Sequence, residues 1–359
     1  MSDSKNNELI AIFDIGSGSV GGALVLMPKE EGSKPVFLAS YRFPVLFKKD
    51  LDASQFQKLM LKAVKIVASK ISIARPDNAY CFLASPWSAH QTRLVNFKNN
   101  SPLISRKEID QIVSRELRNF HDSYIKEYPE NSLIEAKIEN LLLKKTKPLE
   151  KKLAMFLATA DQKLTVELEK IIRSSTGAFN VISNSFLLSD FAVVRNFLDP
   201  KNFVLIDIGG EVTEVGIVRD DILIESGSFP FGKNTLIRRL ATVAPEGAET
   251  LISLFFDNRL EEKSRIQVEK LLKIEKKHFQ EHLMGAFGDL NVAGEPIFLT
   301  VDDEVANWFT EAISTLTKKP NQCIFLESRT LHSFCDLKSK VAHDPFLIIE
   351  ALSLQAHEI

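Results

Sequence analysis

Two turns, one near each end of the first 210 residues, constrain this chain more than any other feature. The first is Asp14-Ile15-Gly16-Ser17-Gly18-Ser19-Val20-Gly21-Gly22, directly behind the apolar run at residues 9–13. The second is Asp207-Ile208-Gly209-Gly210-Glu211-Val212-Thr213-Glu214, directly behind residues 203–206. Each reads as a buried strand, a carboxylate at its end, a glycine turn and a second strand. Glycines let bare backbone amides come close to a phosphate, and a carboxylate beside them can face a metal ion. The two aspartates are 193 positions apart (207 minus 14). Two such turns so far apart predict two lobes clasping one nucleotide.

The remaining composition narrows the class. A length of 359 residues with 45% hydrophobic content leaves room for two or more compact units with their own cores. Lys and Arg number 45 against 47 Asp and Glu, a net charge of -2. Broad nucleic-acid binding needs a basic face, so no nucleic-acid partner is expected. Cys81, Cys323 and Cys335 are isolated, with no CxxC spacing, and read as buried thiols in a reducing compartment. No segment approaches the roughly 18 consecutive apolar residues of a membrane span, and residues 1–7 are too polar for a signal peptide. The expected location is the cytoplasm.

Taken in order, residues 36–47 predict a strand. Ser54 opens a helix with Gln57 returning the cap, and Phe56, Leu59, Met60, Ala63 and Val67 form its apolar face. Residues 79–83 are the next strand. From Ser85 to Lys152 the pattern becomes that of an inserted α+β unit. It has a short strand at 92–97, a capping box at Ser105-Arg106-Lys107-Glu108, a helical face at Ile109, Ile112, Val113, Leu117 and Phe120, and a long strand at 133–143. The turn Lys144-Lys145-Thr146-Lys147-Pro148 reads either as a solvated hairpin tip or as a contact for an acidic partner or anionic lipid. A strand at 153–158 follows. Asp161 caps a helix through Leu164, Leu168, Ile171 and Ile172, which Gly177 stops. Residues 181–194 are a strand end and a helix.

Beyond the second turn, Arg219-Asp220-Asp221 forms a hairpin between strands at 215–218 and 222–226. Phe231-Gly232 then leads into a helix from Thr235, a place where free amides can meet phosphate or ribose oxygens. Residues 247–287 are helical and charged. Gly294-Glu295-Pro296 is a joint before a strand at 297–299, a helix through Val305, Trp308, Phe309 and Ile313, and a strand at 322–326. The run at 346–352 reads as a packed final helix rather than an interfacial membrane anchor, because it has no basic polar face.

On these residues the sequence resembles the actin and Hsp70-type ATPase superfamily, most closely its FtsA and PilM branch. The resemblance implies an α/β, two-lobed, ribonuclease H-like fold with an inserted SHS2-type subdomain. The implied division is 1–84 for the first part of lobe one (1A), 85–152 for the insert (1C), 153–199 for the rest of 1A, 200–240 for the first part of lobe two (2A), 241–296 for a helical subdomain (2B) and 297–359 for the rest of 2A. It also implies ATP and Mg²⁺ as cofactors. Gly16, Ser17, Gly18 and Ser19 would cradle the β and γ phosphates. Asp14 and Asp207 would hold Mg²⁺ through waters. Gly209, Gly210 and Thr213 would close from the other lobe, with Gly232 at the third turn. A polyanion needs clustered N–H donors and a divalent cation, which prefers carboxylate and water oxygens.

The chain departs from the family pattern at several of these places. Glu211 stands at the third glycine of the second turn. Val301, Asp302 and Asp303 stand at the paired glycines under adenosine, Asn184 and Ser185 at a glutamate and proline, and Lys233 at the second glycine of the third turn. Like charges about 4 Å apart repel by several kcal/mol at intermediate dielectric, so Glu211 opposes a phosphate. The resemblance therefore implies a cytoplasmic scaffold that binds ATP weakly, is at most a slow ATPase, and recruits membrane-machinery partners through its insert. Those partners would be bacterial division or pilus assembly proteins, among them a membrane protein's cytoplasmic peptide, with self-assembly also open. Such a scaffold would sit peripherally at the inner membrane face through a partner. The end of the chain at the 346–352 helix is the pattern of PilM rather than FtsA. One alternative is a degenerate pseudo-ATPase without nucleotide. The other is an exopolyphosphatase or sugar kinase on the same lobes.

Overall fold

The structure is a computed structural model. It describes residues 7–30, 32–45, 52–97, 106–120, 122, 130–142, 151–243, 247–287, 294–317, 323–339 and 341–356. The expected lysine-rich turn at 144–148 and Ser105 of the expected capping box lie outside these residues.

The chain begins with strands β1 (Asn7–Ile15), β2 (Ser19–Pro28) and β3 (Val36–Pro44), helix α1 (Ala53–Ile71) and strand β4 (Asn78–Leu83). The insert supplies β5 (Ser88–Phe97), α2 (Arg106–Phe120), β6 (Asn131–Leu142) and β7 (Lys151–Asp161). Then come α3 (Gln162–Thr176), β8 (Asn180–Ser185) and α4 (Phe186–Val193). The second turn sits between β9 (Phe203–Ile208) and β10 (Thr213–Arg219), and β11 (Ile222–Phe229) and α5 (Lys233–Leu240) follow. The rest is α6 (Ala248–Phe256), α7 (Glu262–Phe287), β12 (Ile297–Val301), α8 (Asp303–Thr317), β13 (Cys323–Phe325), α9 (Ser328–Leu331), β14 (Asp336–Leu337) and α10 (Pro345–Ala356).

Among the described residues the strands form three sheets, ordered β14-β3-β2-β1-β4-β8, β11-β10-β9-β12-β13 and β5-β7-β6. The two large sheets repeat one unit. In each, an antiparallel hairpin (β1–β2 or β9–β10) carries the glycine turn, and a parallel strand (β4 or β12) flanks its first strand. Side chains alternate across a strand, so each of these strands serves two cores. Ala11, Phe13 and Ile15 of β1 pack with α1 and α3, while Ile10 and Ile12 face the opposite way, into the core built on α4 and α10. In β9, Phe203 and Leu205 join that same core, and Val204, Ile206 and Ile208 pack with α5, α7 and α8. The α4 and α10 helices thus form a middle layer shared by both lobes, and this is why they are apolar almost all round.

Local signals explain most element ends. Asp161 accepts the Leu164 N–H at 2.8 Å, and Gly177, at φ +76°, closes α3. Asp220 and Asp221 take positive φ at the tip of the β10–β11 hairpin. Two expectations need correction. The α1 cap is Asp52, whose carboxylate accepts the Gln55 N–H at 2.7 Å, rather than Ser54, because the aspartate reaches the same first-turn donors from one residue before the helix. The helical stretch at 247–287 is two helices, parted where Asn258 adopts φ +56°.

The insert is tied at both edges. From β5, Thr92 Oγ1 lies 3.4 Å from Ser226 Oγ on β11, and Ala154 of β7 packs on Ile222. At the other edge, Glu135 accepts the N–H of Ser185, the residue before α4, at 2.8 Å. Its middle strand β7 runs on to Asp161, and Met155 and Leu157 on that strand pack with Phe120 of α2.

Phe191 of α4 is 1% exposed and stacks on Phe203 across the lobes, with ring centroids 6.4 Å apart. Phe191→Ala is expected to cost about 3–5 kcal/mol of unfolding free energy in urea titration. Val166→Ala on the outer side of α3, 59% exposed, should stay within about 0.5 kcal/mol. Equal losses for the two would refute the shared middle layer.

Candidate functional site

The two glycine turns have the same tip. Gly16 N–H donates to the Ser19 carbonyl at 3.1 Å, and Gly209 N–H to the Val212 carbonyl at 3.0 Å. They meet face to face. A Cβ on Gly210 would stand 2.5 Å from both Cα and N of Gly18, so the two backbones touch. A Cβ on Gly232 would stand 2.5 Å from the carbonyl oxygens of Gly209 and Gly210. None of the three has φ in the left-handed region, so close approach is what demands glycine here. Hydrogen bonds fix the stack. Glu211 N–H donates to Ser17 Oγ at 2.9 Å across the lobes, and Thr213 Oγ1 donates to the Phe231 carbonyl at 2.6 Å. The first amides of α5 are spent on the second turn, Lys233 N–H on Gly209 O at 3.0 Å and Asn234 N–H on Gly210 O at 2.7 Å.

Asp14 ends β1 and is buried. Arg42 of β3 lies against it, with Nη1 2.7 Å from Asp14 Oδ2 and 2.8 Å from Ser19 Oγ. The same guanidinium grips Asp344 through Nε and Nη2 at 2.7 and 2.9 Å, a bidentate pair. Burial pushes Asp14 up to about 6, more than Arg42 draws it down. Asp207 ends β9, and its Oδ1 has no hydrogen-bond partner. Burial raises it well above the carboxylate range, and Glu214, Asp190, Asp14 and Asp302 add to the rise. Asp14 and Asp207 thus stand behind turns that touch, and the Asp302 charge adds to the rise of both. Glu350 of α10 is fully buried with both carboxylate oxygens unpartnered, and burial and then Asp14 raise it too.

Glu211 is not left to repel. Its Oε1 accepts from Asn234 Nδ2 at 2.8 Å and its Oε2 from Arg238 at 2.7 Å, along the first turns of α5. Next to the turns lies a cavity of about 420 Å³. Arg42 and Lys233 line it together with Asp302, Asp303, Glu304 and Asp344, and Lys233 is already paired with Asp302 at 2.5 Å. Carboxylates outnumber cations there.

These residues do not fit Mg²⁺ and ATP as they are arranged. The phosphate turns are in backbone contact, the donors at the start of α5 are taken, and Asp14 already has a cation. Among the described residues no group of three or more His, Cys, Asp or Glu side chains is placed to hold a metal ion.

A second constellation joins the insert to the second turn. His90 Nε2 lies 2.7 Å from Glu214 Oε1, and Ser85 Oγ lies 2.8 Å from the same oxygen. Both side chains converge on the carboxylate rather than on each other, so the serine–histidine contact of a hydrolytic triad is absent. His90 Nδ1 and Glu214 Oε2 are buried without partners.

The structure thus places all the sequence-predicted residues Asp14, Gly16, Ser17, Gly18, Ser19, Asp207, Gly209, Gly210, Thr213 and Gly232 on three touching turns. Sequence reasoning missed Arg42, Asp190, Asp344, Glu350, Arg238 and the His90 to Glu214 contact. Asp190 and Glu350 did carry a signal, each being a single acid inside an otherwise apolar run.

No family model matches the chain, and no curated protein matches it. Among solved structures it is similar to PilM of the PilM–PilN type IV pilus biogenesis complex, with a TM-score of 0.65 and 14% identity over 97% of this chain and 98% of that one. It is also similar to the ethanolamine utilization protein EutJ from Carboxydothermus hydrogenoformans (TM-score 0.47, 12% identity, 97% and 89% covered). A protein of actin-like ATPase fold from Bacteroides thetaiotaomicron gives a TM-score of 0.45 at 10% identity, with 99% and 98% covered. The fold is the actin-like ATPase fold.

Two outcomes follow from the geometry. Gly210→Ala is expected to lose about 1–3 kcal/mol by overpacking against Gly18, while Gly227→Ala, with nothing within 4 Å, stays within about 0.5 kcal/mol in the same denaturant titration. Asp190 is held by Thr300 Oγ1 at 3.3 Å, and burial pushes it up to about 7 from an ordinary 3.8. The folded chain keeps a proton that the unfolded chain releases. Its contribution to stability is therefore full below pH 3.8 and lost as pH rises towards 7. Asp190→Asn does not titrate. Relative to wild type it should gain up to about 4 kcal/mol between pH 4 and pH 8, read from urea unfolding at both, and an unchanged difference would contradict the burial argument.

Proposed function

We propose that this chain is an actin-fold scaffold of the pilus-assembly kind, which holds a partner protein through its inserted subdomain and does not turn over nucleotide. The observation that carries this reading is the extent of the likeness to PilM: 97% of this chain and 98% of that one align, so the likeness includes the insert as well as the lobes. That PilM belongs to a PilM–PilN type IV pilus biogenesis complex, which supports a pilus assembly protein as the partner. No helix among the described residues is long and apolar enough to cross a membrane. On this reading the chain works in the cytoplasm, and attachment to the membrane comes through the cytoplasmic peptide of a membrane-bound partner. The division implied by the resemblance is kept in this reading with two changes: the holding insert extends from 152 to Asp161, because β7 pairs with β5 and β6, and β14, which pairs with β3, is counted with the first lobe.

The arrangement also favours the reading without nucleotide over one with weak ATP binding. An enzyme of the exopolyphosphatase or sugar kinase type would need an open phosphate cradle, and turns in backbone contact do not offer one.

Peptides copied from the cytoplasmic segments of the inner-membrane pilus assembly proteins of the same genome provide the test, by fluorescence polarisation against the whole chain. Saturable binding is expected for one of them, weakened by Leu133→Glu on the exposed flank of β6. Binding by none, or steady release of phosphate from ATP or polyphosphate, would remove the proposal.

A further inference from the structure

An actin-type cleft whose two glycine turns are in backbone contact raises the question of what holds the lobes together. In a cleft built to close on a magnesium nucleotide, an anion sits at a helix N-terminus and a cation bridges to the carboxylates. This chain has a charged group of its own in each place. The Glu211 carboxylate lies beside the start of α5, held by the side chains of Asn234 and Arg238, on the side of the helix where its dipole favours a negative charge. The Arg42 guanidinium lies on Asp14 at 2.7 Å, where a buried carboxylate needs a cation. Neither side chain reaches in from a distant loop. Arg42 comes from a strand beside the first hairpin, and Glu211 is part of the second turn itself.

We propose that this chain is self-liganded: Glu211 and Arg42 take the places of the nucleotide's anion and of its cation, and the two lobes stay shut without any small molecule. The contacts that close them run from one lobe to the other. Glu211 N–H reaches Ser17 Oγ at 2.9 Å, and the Gly18 and Gly210 backbones touch. Ser85 and His90 both hold Glu214, and Thr300 holds Asp190. The side-chain bonds of Glu211 fix the direction in which its own amide points, so the internal anion and the closing bond are one unit. This goes beyond holding a partner, because it concerns the state of the lobes before any partner arrives.

The test is a distance measurement between the lobes on the full chain. Spin labels at Val166→Cys on α3 and Ile266→Cys on α7, both exposed, report lobe separation in a Cys323→Ala background; the two other cysteines are buried. The expected result is one narrow distance distribution that millimolar Mg-ATP leaves unchanged. Glu211→Gln, which keeps the size but loses the negative charge and turns one of the two oxygen acceptors into a donor, should broaden it in part. Glu211→Lys, which sets a cation against Arg238, should broaden it or shift it to longer distance. A wild-type distribution that contracts on adding Mg-ATP overturns the proposal, and that arm needs no variant to fold. A Glu211→Lys distribution that superimposes on wild type overturns it as well. No partner protein is present, so failure here leaves the partner-holding reading to its own test.

Discussion

The structure depends on one contact, the meeting of the Gly18 and Gly210 backbones between two lobes that come from distant parts of the chain. Backbone approaching backbone this closely admits no side chain on Gly210 and leaves little space for one on Gly18. It also fixes everything behind it. The strands that carry these turns must end at the same depth, so Asp14 and Asp207 are delivered to one place with little water around them. Burial then governs the chemistry. Carboxylates that would be ionised on a surface are pushed towards their neutral forms, and at Asp14 the Arg42 guanidinium offsets only part of that push.

Two properties follow from the repeated hairpin with its parallel flanking strand. The first is symmetry of the turns, which makes the face-to-face stack possible. The second is a middle layer, α4 and α10, that each sheet uses as its inner wall. A helix buried on every side has no polar face to set its orientation. The lone acids Asp190 and Glu350 are therefore conspicuous, because both lie at the level of the cleft and both lack a full set of partners. Burial of an unpartnered carboxyl opposes folding unless it is protonated, and the raised values of both residues agree with that condition.

Much of the architecture was legible in the sequence because period and punctuation are local. The apolar runs before Asp14 and Asp207, the cap at Asp161, the stop at Gly177 and the hairpin at Asp220-Asp221 all announce themselves within a few residues. The site was legible only in part. The glycines pointed to the turns, but not to the close approach of a second backbone that the structure shows there. Arg42 was missed because a single cation in a half-buried strand looks like any edge residue until Asp14 and Asp344 are placed beside it by segments about 300 residues apart. Glu211 was recognised as an intruder, but nothing local marked Asn234 and Arg238 as its partners. Long-range pairings of this kind depend on how the lobes dock, which no local pattern encodes.

The insert touches both lobes, and one of its anchors, the His90 contact with Glu214, ends on the residue paired across the hairpin from Asp207. A pull on the insert is therefore delivered through a stiff strand to the bottom of the cleft. Mechanically the insert is a handle with a short shaft, and the turn is where its torque is felt.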